Sequence, residues 1–145
     1  MKTPVGYVKV SACNNFVRQI QFIASHQSTF LQASNGILNE AKKQLKEYFN
    51  GTRSVFHLPM KIELAPFYKK TLMEVRKIKY GQKVSYSMVA KIIGSENAAR
   101  AVGTANSKNP LPIIIPCHRV VRSDGQLGGY SGGIEKKSIL LNLES

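Results

Sequence analysis

Residues 85–106 read SYSMVAKIIGSENAARAVGTAN and predict two short helices joined by a turn at Gly94. Ser85 is placed to cap the first helix, and Ser95 to cap a second helix over residues 96–106. Two short helices around a glycine-containing turn have the layout of a helix-turn-helix. An ordinary helical hairpin has the same layout, so this segment alone leaves both interpretations open.

The second predicted helix is poor in side chains that read bases. Within residues 97–105, Arg100 is the one long charged side chain among small ones, whereas a base-reading helix presents several Arg, Asn or Gln side chains. If this helix contacts DNA, small residues such as Ala99 allow a close approach through phosphate and shape contacts, and Arg100 can enter the base stack. The alternative is an alanine-rich helix that packs on its neighbour, with Arg100 in solvent.

The composition indicates a folded and strongly basic chain. Of its 145 residues 43% are hydrophobic, and 21 Lys and Arg against 8 Asp and Glu give a formal charge of +13. This excess favours a polyanionic partner, with nucleic acid as the first candidate. No apolar run approaches the roughly 20 residues that cross a bilayer, and the first residues lack the core of a signal peptide. We therefore expect an intracellular protein without membrane contact, cytoplasmic in a prokaryote and nuclear in a eukaryote.

The cysteines are too few for a disulfide scaffold. Cys13 and Cys117 are the only two, and with three histidines they make no recognisable zinc spacing, so we expect no metal site. Cys13 has no His, Lys or Arg beside it, and we expect it to be a small buried residue. Cys117 is then a free thiol, and its function depends on whether its neighbours make it reactive.

A β-hairpin is predicted over residues 6–22. The pair Asn14-Asn15 separates two β-like stretches, and alternation places Phe16, Ile20 and Phe22 on one face of the second.

A helix is predicted after the hairpin. A third β-like stretch covers residues 29–33, and apolar residues at helical spacing follow over residues 37–49. Ser34 or Asn35 would cap this helix, and Gly51 suits the left-handed position that follows it.

Prolines mark the boundary between two parts of the chain. The segment 58–66 is the expected connection because its prolines interrupt regular pairing, and we place the domains at 1–62 and 63–145. After Pro66 the apolar spacing becomes helical up to Tyr80-Gly81, with one stripe formed by Phe67, Thr71, Leu72, Val75 and Ile78.

Residues 109–119 read NPLPIIIPCHR and form the chemical centre of the sequence. Burial keeps a thiol protonated, so a reactive Cys117 needs His118 to accept its proton and Arg119 or a helix N-terminus to favour the anion. Successive side chains of an extended segment point to opposite faces, so we expect either a bend here or a water between Cys117 and His118. Glu144, near the end of an apolar-spaced helix, is the acid expected to orient His118.

Unreactive interpretations of these residues stay open. Cys117 could be a small buried hydrophobe, and His118 a core imidazole whose hydrogen bonds are satisfied. Residues 128–133, GGYSGG, would allow close backbone approach to a flat or charged group beside Tyr130 and Ser131, or form a flexible surface loop. Their spacing matches no phosphate-binding loop.

The combined pattern strongly resembles the O6-alkylguanine-DNA alkyltransferases, the methylated-DNA–protein-cysteine methyltransferases. The Pro-Cys-His-Arg-Val element at 116–120 is highly diagnostic, and the match covers about residues 66–144. The residues that carry it are 80–81, 84–86, 98–103, 109–110, 115–120, 129–133, 137, 140–141 and 144. Residues 1–60 match in layout only. Leu72 stands where members usually carry Trp, and Tyr68 where Gln is common, which affects packing more than chemistry.

The resemblance implies an α+β fold and a set of residue roles. Residues 1–62 would form a ribonuclease-H-like αβ domain and residues 63–145 a winged-helix domain containing the helix-turn-helix. The implied catalytic residues are Cys117 as alkyl acceptor, His118 as its base through a bound water, Glu144 as the orienting carboxylate and Tyr130 as donor to the purine. The implied DNA contacts are Arg100 in the gap left by an extruded nucleotide, Tyr86 at its phosphate, Ala99 and Arg119. The implied substrate pocket comprises Val120, Ser131, Gly132 and Asn109, with Ser131 near O6, Asn109 bracing the turn, and the carbonyls of Cys117 and Val120 at the exocyclic amine.

The activity implied is DNA repair by one irreversible alkyl transfer. The partner would be double-stranded DNA containing O6-alkylguanine, with activity on O4-alkylthymine left open; we expect a monomer that uses no cofactor. Two other classes fit parts of the pattern. A Cys-His hydrolase predicts turnover, and the adjacency of Cys117 and His118 argues against it. A DNA-binding lesion sensor needs no thiol at position 117.

Overall fold

The computed structural model describes residues 1–25 and 35–145. This part of the chain mixes helices and strands in two compact units, Met1–Ile62 and Glu63–Ser145. The predicted α+β class is confirmed. The strand-like stretch predicted over 29–33 lies outside the described residues.

The first unit contains a three-stranded antiparallel sheet in the order β1-β2-β3. Its strands are β1 (Lys2–Thr3), β2 (Gly6–Cys13) and β3 (Phe16–Ile23). The predicted hairpin is confirmed: Cys13 pairs with Phe16 across a two-residue loop, and Asn14 adopts a φ of 53°, a left-handed conformation that Asn tolerates. Cys13 is exposed at this end of the hairpin, so its predicted burial is wrong.

A β-bulge changes which side chains of β3 face the core. The pairing steps from Ser11–Gln19 to Ala12–Val17, which inserts one extra residue into β3 and breaks the simple alternation. Val17 is fully buried, whereas Phe16 is 41% exposed. The predicted face of Phe16, Ile20 and Phe22 is therefore wrong for Phe16, because the bulge lies between that residue and Ile20.

Helix α1 (Gly36–Phe49) closes the first unit against β2 and β3. The cap predicted at Asn35 is confirmed, since its Oδ1 accepts from the backbone N–H of Leu38 at 2.9 Å; Ser34 lies outside the described residues. Gly51 has a φ of 75° and donates to the Tyr48 carbonyl, and Thr52 donates to the Glu47 carbonyl. This pair of bonds is a Schellman motif, which ends the helix at the predicted place.

The second unit is built mainly from helices. Its elements are α2 (Pro66–Val75), β4 (Val84–Ser85), α3 (Tyr86–Ile92), α4 (Ala99–Ser107), a 3₁₀ turn (Cys117–Arg119), β5 (Val120–Val121) and α5 (Ile134–Leu143). Helices α2, α3 and α4 pack on one another, and β4 pairs with β5 in parallel. The predicted helix-turn-helix is confirmed as α3 and α4. Within the described residues, no helix has the length and apolar character to span a membrane.

Helix ends in this unit follow the sequence prediction only in part. Ser85 caps α3, since its Oγ accepts from the Met88 backbone N–H at 3.1 Å. Ser95 does not cap α4; its carbonyl accepts from the Ala98 N–H at 2.8 Å, and this turn delays the helix to Ala99. Helix α2 ends at Val75, five residues before the predicted stop.

Candidate active site

A braced turn holds Cys117 at the end of the apolar run. The Asn109 carboxamide donates from Nδ2 to the Ile115 carbonyl and accepts from the Leu111 N–H, both at 2.9 Å. Within the turn, buried Ile113 has a φ of 76°, a conformation that costs a β-branched residue of the order of 1–3 kcal/mol. The Asn109 bonds hold the strained backbone that leads to Cys117.

The bend predicted between Cys117 and His118 is present as the 3₁₀ turn. The Cys117 N–H donates to the Ile115 carbonyl at 2.8 Å, and the Arg119 N–H donates to the Pro116 carbonyl at 2.9 Å. The turn replaces the extended geometry that would place successive side chains on opposite faces.

The Glu144 carboxylate joins His118 and Arg119 from the end of α5. Glu144 Oε1 lies 2.8 Å from His118 Nε2 and 2.8 Å from Arg119 Nη2, and Glu144 Oε2 accepts from Arg119 Nε at 2.9 Å. Arg119 Nη1 donates to the Ile78 carbonyl at 2.6 Å. All three charged or titratable side chains are buried.

The position of Arg119 corrects one expectation. We predicted a DNA contact, but Arg119 is 5% exposed and its guanidinium is occupied by Glu144 and the Ile78 carbonyl. Its role in this structure is to hold the Glu144 carboxylate in its charged form, because bidentate guanidinium bonds favour that form.

His118 is a neutral imidazole in this environment. Burial lowers its pKa, an effect that the bond and charge of Glu144 oppose. Because the carboxylate can only accept, Nε2 carries the proton and Nδ1 keeps a lone pair. Nδ1 is buried and has no hydrogen-bond partner among residues 1–25 and 35–145. His118 is therefore able to accept a proton at Nδ1.

Cys117 is a thiol at rest. It is 3% exposed, and burial raises its pKa. The Asn109 amide, the positive charge of Lys137 and the backbone N–H at Cys117 oppose that rise. The surroundings thus favour a protonated resting state with groups already placed to stabilise the thiolate.

Lys137 is a site residue to which the sequence reasoning assigned no role. Its fully buried ammonium donates to the Val120 carbonyl at 2.7 Å, the Gly129 carbonyl at 3.2 Å and the Tyr86 hydroxyl at 3.4 Å. Burial lowers the pKa of Lys137 to about 8, although the Cys117 charge acts in the opposite direction. Its spacing could have revealed it, because Lys137 lies three residues before Leu140 on the buried stripe of α5.

A cavity of about 550 Å³ opens beside the thiol. Six predicted site residues line it: Tyr86, Ala99, Arg100, Cys117, Tyr130 and Ser131. Helix α4 adds Gly103, Asn106 and Ser107, which the sequence analysis did not select. The structure does not place Val120, Asn109 or Gly132 in the lining. Val120 and Asn109 are buried, and the Val120 carbonyl accepts from Lys137.

Two tyrosines stand at the cavity as hydroxyl donors. Burial, together with the Cys117 and Glu144 acids, raises the pKa of Tyr130, and burial with the Cys117 charge raises the pKa of Tyr86. Both hydroxyls therefore stay protonated at neutral pH. Gly128, with a φ of 72°, lets the loop approach Tyr86 so closely that a Cβ there would lie 3.0 Å from the ring.

Among the described residues, no group of three His, Cys, Asp or Glu side chains is arranged to hold a metal ion. The chemistry available at the site is that of the thiol, the imidazole–carboxylate pair and the hydroxyl and amide donors around the cavity.

A helix-turn-helix whose second helix lines a cavity together with a thiol is the arrangement expected of a DNA-binding protein that reacts through a cysteine. Two family models match this chain: the ribonuclease-like domain of 6-O-methylguanine DNA methyltransferase over residues 1–62, and the DNA binding domain of the same family over residues 66–145. The chain therefore belongs to the 6-O-methylguanine DNA methyltransferase family.

Individual relatives agree with the family models. The constitutive methylated-DNA–protein-cysteine methyltransferase of Bacillus subtilis is 47% identical over 108 residues, which are 74% of this chain and 66% of that protein. The methylated-DNA–protein-cysteine methyltransferase of Methanosarcina barkeri is 35% identical over 99% of this chain and 94% of its own. The crystal structure of Mycobacterium tuberculosis OGT in complex with DNA superposes with a TM-score of 0.90 at 34% identity, covering 99% of this chain and 89% of that one.

Proposed function

We propose that this chain repairs double-stranded DNA by moving the alkyl group of O6-alkylguanine onto Cys117. The observation that carries the proposal is the position of the thiol, which lines the cavity while its neighbour His118 is held by Glu144. The sulfur attacks the alkyl carbon, a carbon–sulfur bond forms, and the carbon–O6 bond breaks. Guanine leaves with the electron pair of that bond.

The thiol proton has a defined acceptor. Nδ1 of His118 is buried with its lone pair available, and a water between Cys117 and His118 would relay the proton to it. The imidazolium that forms is stabilised by Glu144, whose charge Arg119 maintains. The positive charge of Lys137 and the Asn109 amide favour the thiolate at the same moment.

Hydroxyl donors assist the departure of guanine. Tyr130 lines the cavity in its protonated form, so it can donate to the purine as negative charge develops there. Ser131 also lines the cavity, and its hydroxyl would donate to O6. Donors that are already oriented stabilise such charge more than water would, because they need no reorganisation during the reaction.

Base extrusion uses the outer part of the same cavity. Arg100 is exposed on α4 at the cavity lining, which suits a side chain that fills the gap left in the duplex. Ala99 next to it would let the helix approach the DNA closely, and Tyr86, which also lines the cavity, would act on the displaced phosphate. The formal charge of +13 supplies attraction to phosphates of any sequence.

The product is a thioether, which water does not hydrolyse as it does a thioester. Each molecule reacts once and needs no cofactor. All the proposed catalytic groups come from residues 63–145 of one chain, so a monomer suffices. The protein would act where its substrate is, in the cytoplasm of a prokaryote or the nucleus of a eukaryote.

Mass spectrometry of the peptide containing Cys117 tests the proposal. After incubation with O6-methylguanine duplex, we expect that peptide to gain the mass that replaces a hydrogen by a methyl group. Cys13→Ala is the matched control, because it removes the exposed second thiol and should label fully. Cys117→Ala should not label. Duplex binding with an unmodified Cys117 peptide would assign the chain to lesion sensing and overturn alkyl transfer, and recovery of free thiol with turnover would assign it to a hydrolase.

A further inference from the structure

Tyr80 connects Arg119 to the end of α5. Its hydroxyl donates to the Leu143 carbonyl at 3.2 Å, and the Arg119 guanidinium lies over its ring, 5.7 Å from the centroid. The Ile78 carbonyl holds the same guanidinium by accepting from Nη1 at 2.6 Å. One short segment, residues 78–81, thus contacts both the guanidinium and the helix end that carries its partner carboxylate.

Gly81 brings this segment against the backbone of Glu144. The Gln82 N–H donates to the Lys79 carbonyl at 3.0 Å, and Gly81, the third residue of this turn, has a φ of 79°, which favours glycine. A Cβ added at Gly81 would lie 3.1 Å from the Glu144 carbonyl oxygen, which is tighter than an ordinary contact. The lack of a side chain at Gly81 therefore sets how closely Glu144 approaches the turn.

Glu144 lies where its own helix gives it little support. Helix α5 ends at Leu143, and Glu144 follows as the C-cap, with its N–H bonded to the Leu140 carbonyl at a long 3.2 Å. Helix ends fray when such bonds alone hold them. The contacts from Tyr80 and Gly81 supply a support that does not depend on the helix.

The position of this carboxylate matters for proton transfer. Glu144 Oε1 lies 2.8 Å from His118 Nε2, and the imidazolium formed during the reaction depends on that bond. Tyr80 and Gly81 are not part of the cavity lining, so a change at either residue reaches the thiol through the buried side chains behind it. Misplacing a catalytic group by about 1 Å, even from a distance, can cost roughly 10²-fold in rate.

We propose that Tyr80 and Gly81 are positioning residues for the alkyl transfer: they hold the end of α5 so that the Glu144 carboxylate stays within hydrogen-bond distance of His118. The inference rests on the proposed alkyl transfer to Cys117. Neither residue touches the substrate, and both act on the rate through Glu144.

Two variants of the full chain change this support in different ways. Gly81→Ala adds the Cβ that displaces the Glu144 backbone. Tyr80→Phe keeps the ring beside Arg119, removes the hydroxyl bond to Leu143 and adds no backbone strain. Gly51→Ala is the matched control, because Gly51 has a φ of 75° and no described atom lies within 4 Å of an added Cβ. It carries the same strain without the contact.

Two readouts separate positioning from general damage to the fold. The first is the rate of benzylation of Cys117 by free O6-benzylguanine. The second is the NMR resonance of the proton on His118 Nε2, which is expected downfield and in slow exchange because its bond to Glu144 is short, charge-assisted and buried. The His118→Gln variant assigns this resonance, since it lacks the proton.

We expect Gly81→Ala to react roughly tenfold more slowly than the wild type, less than the loss for a full 1 Å, because Glu144 has to move by a few tenths of an ångström. The His118 Nε2 proton should move upfield as its bond to Glu144 lengthens. Tyr80→Phe should change both readouts in the same direction by a smaller amount, and Gly51→Ala should match the wild type in both.

A wild-type rate or an unmoved resonance in Gly81→Ala would overturn the proposal, and the same result in Tyr80→Phe would remove Tyr80 from it. Equal changes in Gly51→Ala would assign the effect to backbone strain and overturn the positioning role as well. If the wild type itself is not benzylated at Cys117, the proposed alkyl transfer fails. That outcome is distinct, because the His118 resonance still reports whether the turn positions Glu144.

Discussion

Glu144→Gln removes the charge that joins His118 to Arg119 while keeping nearly the same side-chain shape. Glu144 is 1% exposed at its side chain and Arg119 is 6% exposed, so water reaches neither group. The three hydrogen bonds of 2.8 to 2.9 Å all need an acceptor on the carboxylate. A glutamine offers one acceptor oxygen, and its NH₂ group faces a donor of His118 or Arg119.

The expected loss of stability is large. Changing one partner of a buried ion pair costs about 3–5 kcal/mol, because the other charge stays buried without compensation. The Ile78 carbonyl remains as an acceptor for Arg119, which places the expected value near the lower end. Domains of this kind are stable by about 5–15 kcal/mol, so the variant should still fold.

The expected loss of rate has a separate cause. Without the carboxylate, the imidazolium that forms at His118 loses its counter-charge, and Nδ1 no longer has a fixed protonation state. General base catalysis contributes roughly 10²–10⁴-fold, and we expect the single-turnover rate of benzylation at Cys117 to fall within that range. Affinity for duplex DNA should not change, because Glu144 is buried away from the cavity lining.

Urea unfolding at neutral pH and the benzylation rate measured on the same preparations check both numbers. Glu74→Gln is the control, because Glu74 pairs with the 71%-exposed Lys77 at 2.8 Å and such a surface pair contributes about 0–1 kcal/mol. A Glu144→Gln variant that loses less than about 1 kcal/mol and reacts at the wild-type rate would refute the reasoning about the buried pair and remove Glu144 from the proposed mechanism.

Three further predictions concern DNA contact, pH and thiol ionisation. Arg100→Ala should slow repair of duplex substrate far more than benzylation by free O6-benzylguanine; equal losses in both assays would exclude base extrusion by Arg100. Because the folded-state pKa of His118 is lowered, the unfolded chain binds a proton below pH 6.5 that the folded chain does not, so stability should fall on acidification by up to about 1.4 kcal/mol per pH unit. From neutral pH down to roughly pH 5, the urea midpoint of His118→Gln should fall less steeply with pH than that of the wild type. An equally steep fall would contradict the assignment of this pH dependence to His118. In a Cys13→Ala background, Lys137→Met should move ionisation of Cys117, followed by thiolate absorbance, to higher pH; an unmoved titration would show that the ammonium does not act on the thiol.

Local chemistry explains the elements that sequence reasoning located well. Asn35 and Ser85 cap helices through bonds to residues three positions away, and the Asn14-Asn15 hairpin loop spans two residues. Each of these depends on neighbours in the chain, which a sequence displays directly. The bend predicted at Cys117 also follows from neighbours in the chain, because an extended backbone would point the Cys117 and His118 side chains to opposite faces.

The misplaced elements have different causes. At the bulge in β3, which leaves Phe16 exposed, Val17 bonds to the distant residues Pro59 and Lys61. The start of α4 is delayed to Ala99 by a local turn in which the Ser95 carbonyl accepts from the Ala98 N–H. Arg119 was expected among the DNA contacts that the family resemblance implies. The structure buries it against Glu144, 25 residues away.

The amino-acid sequence by itself determined the two-part α+β organisation, the helix-turn-helix and the identity of the thiol with its neighbouring imidazole. The tertiary structure decided which groups surround that thiol: it buried Lys137 against the oxygens of Val120, Gly129 and Tyr86, and it brought Glu144 to His118 and Arg119. The physical reason is that desolvation and charge pairing depend on what lies nearby in space. Residues distant in the chain supply those surroundings, and their approach is set only when the helices pack.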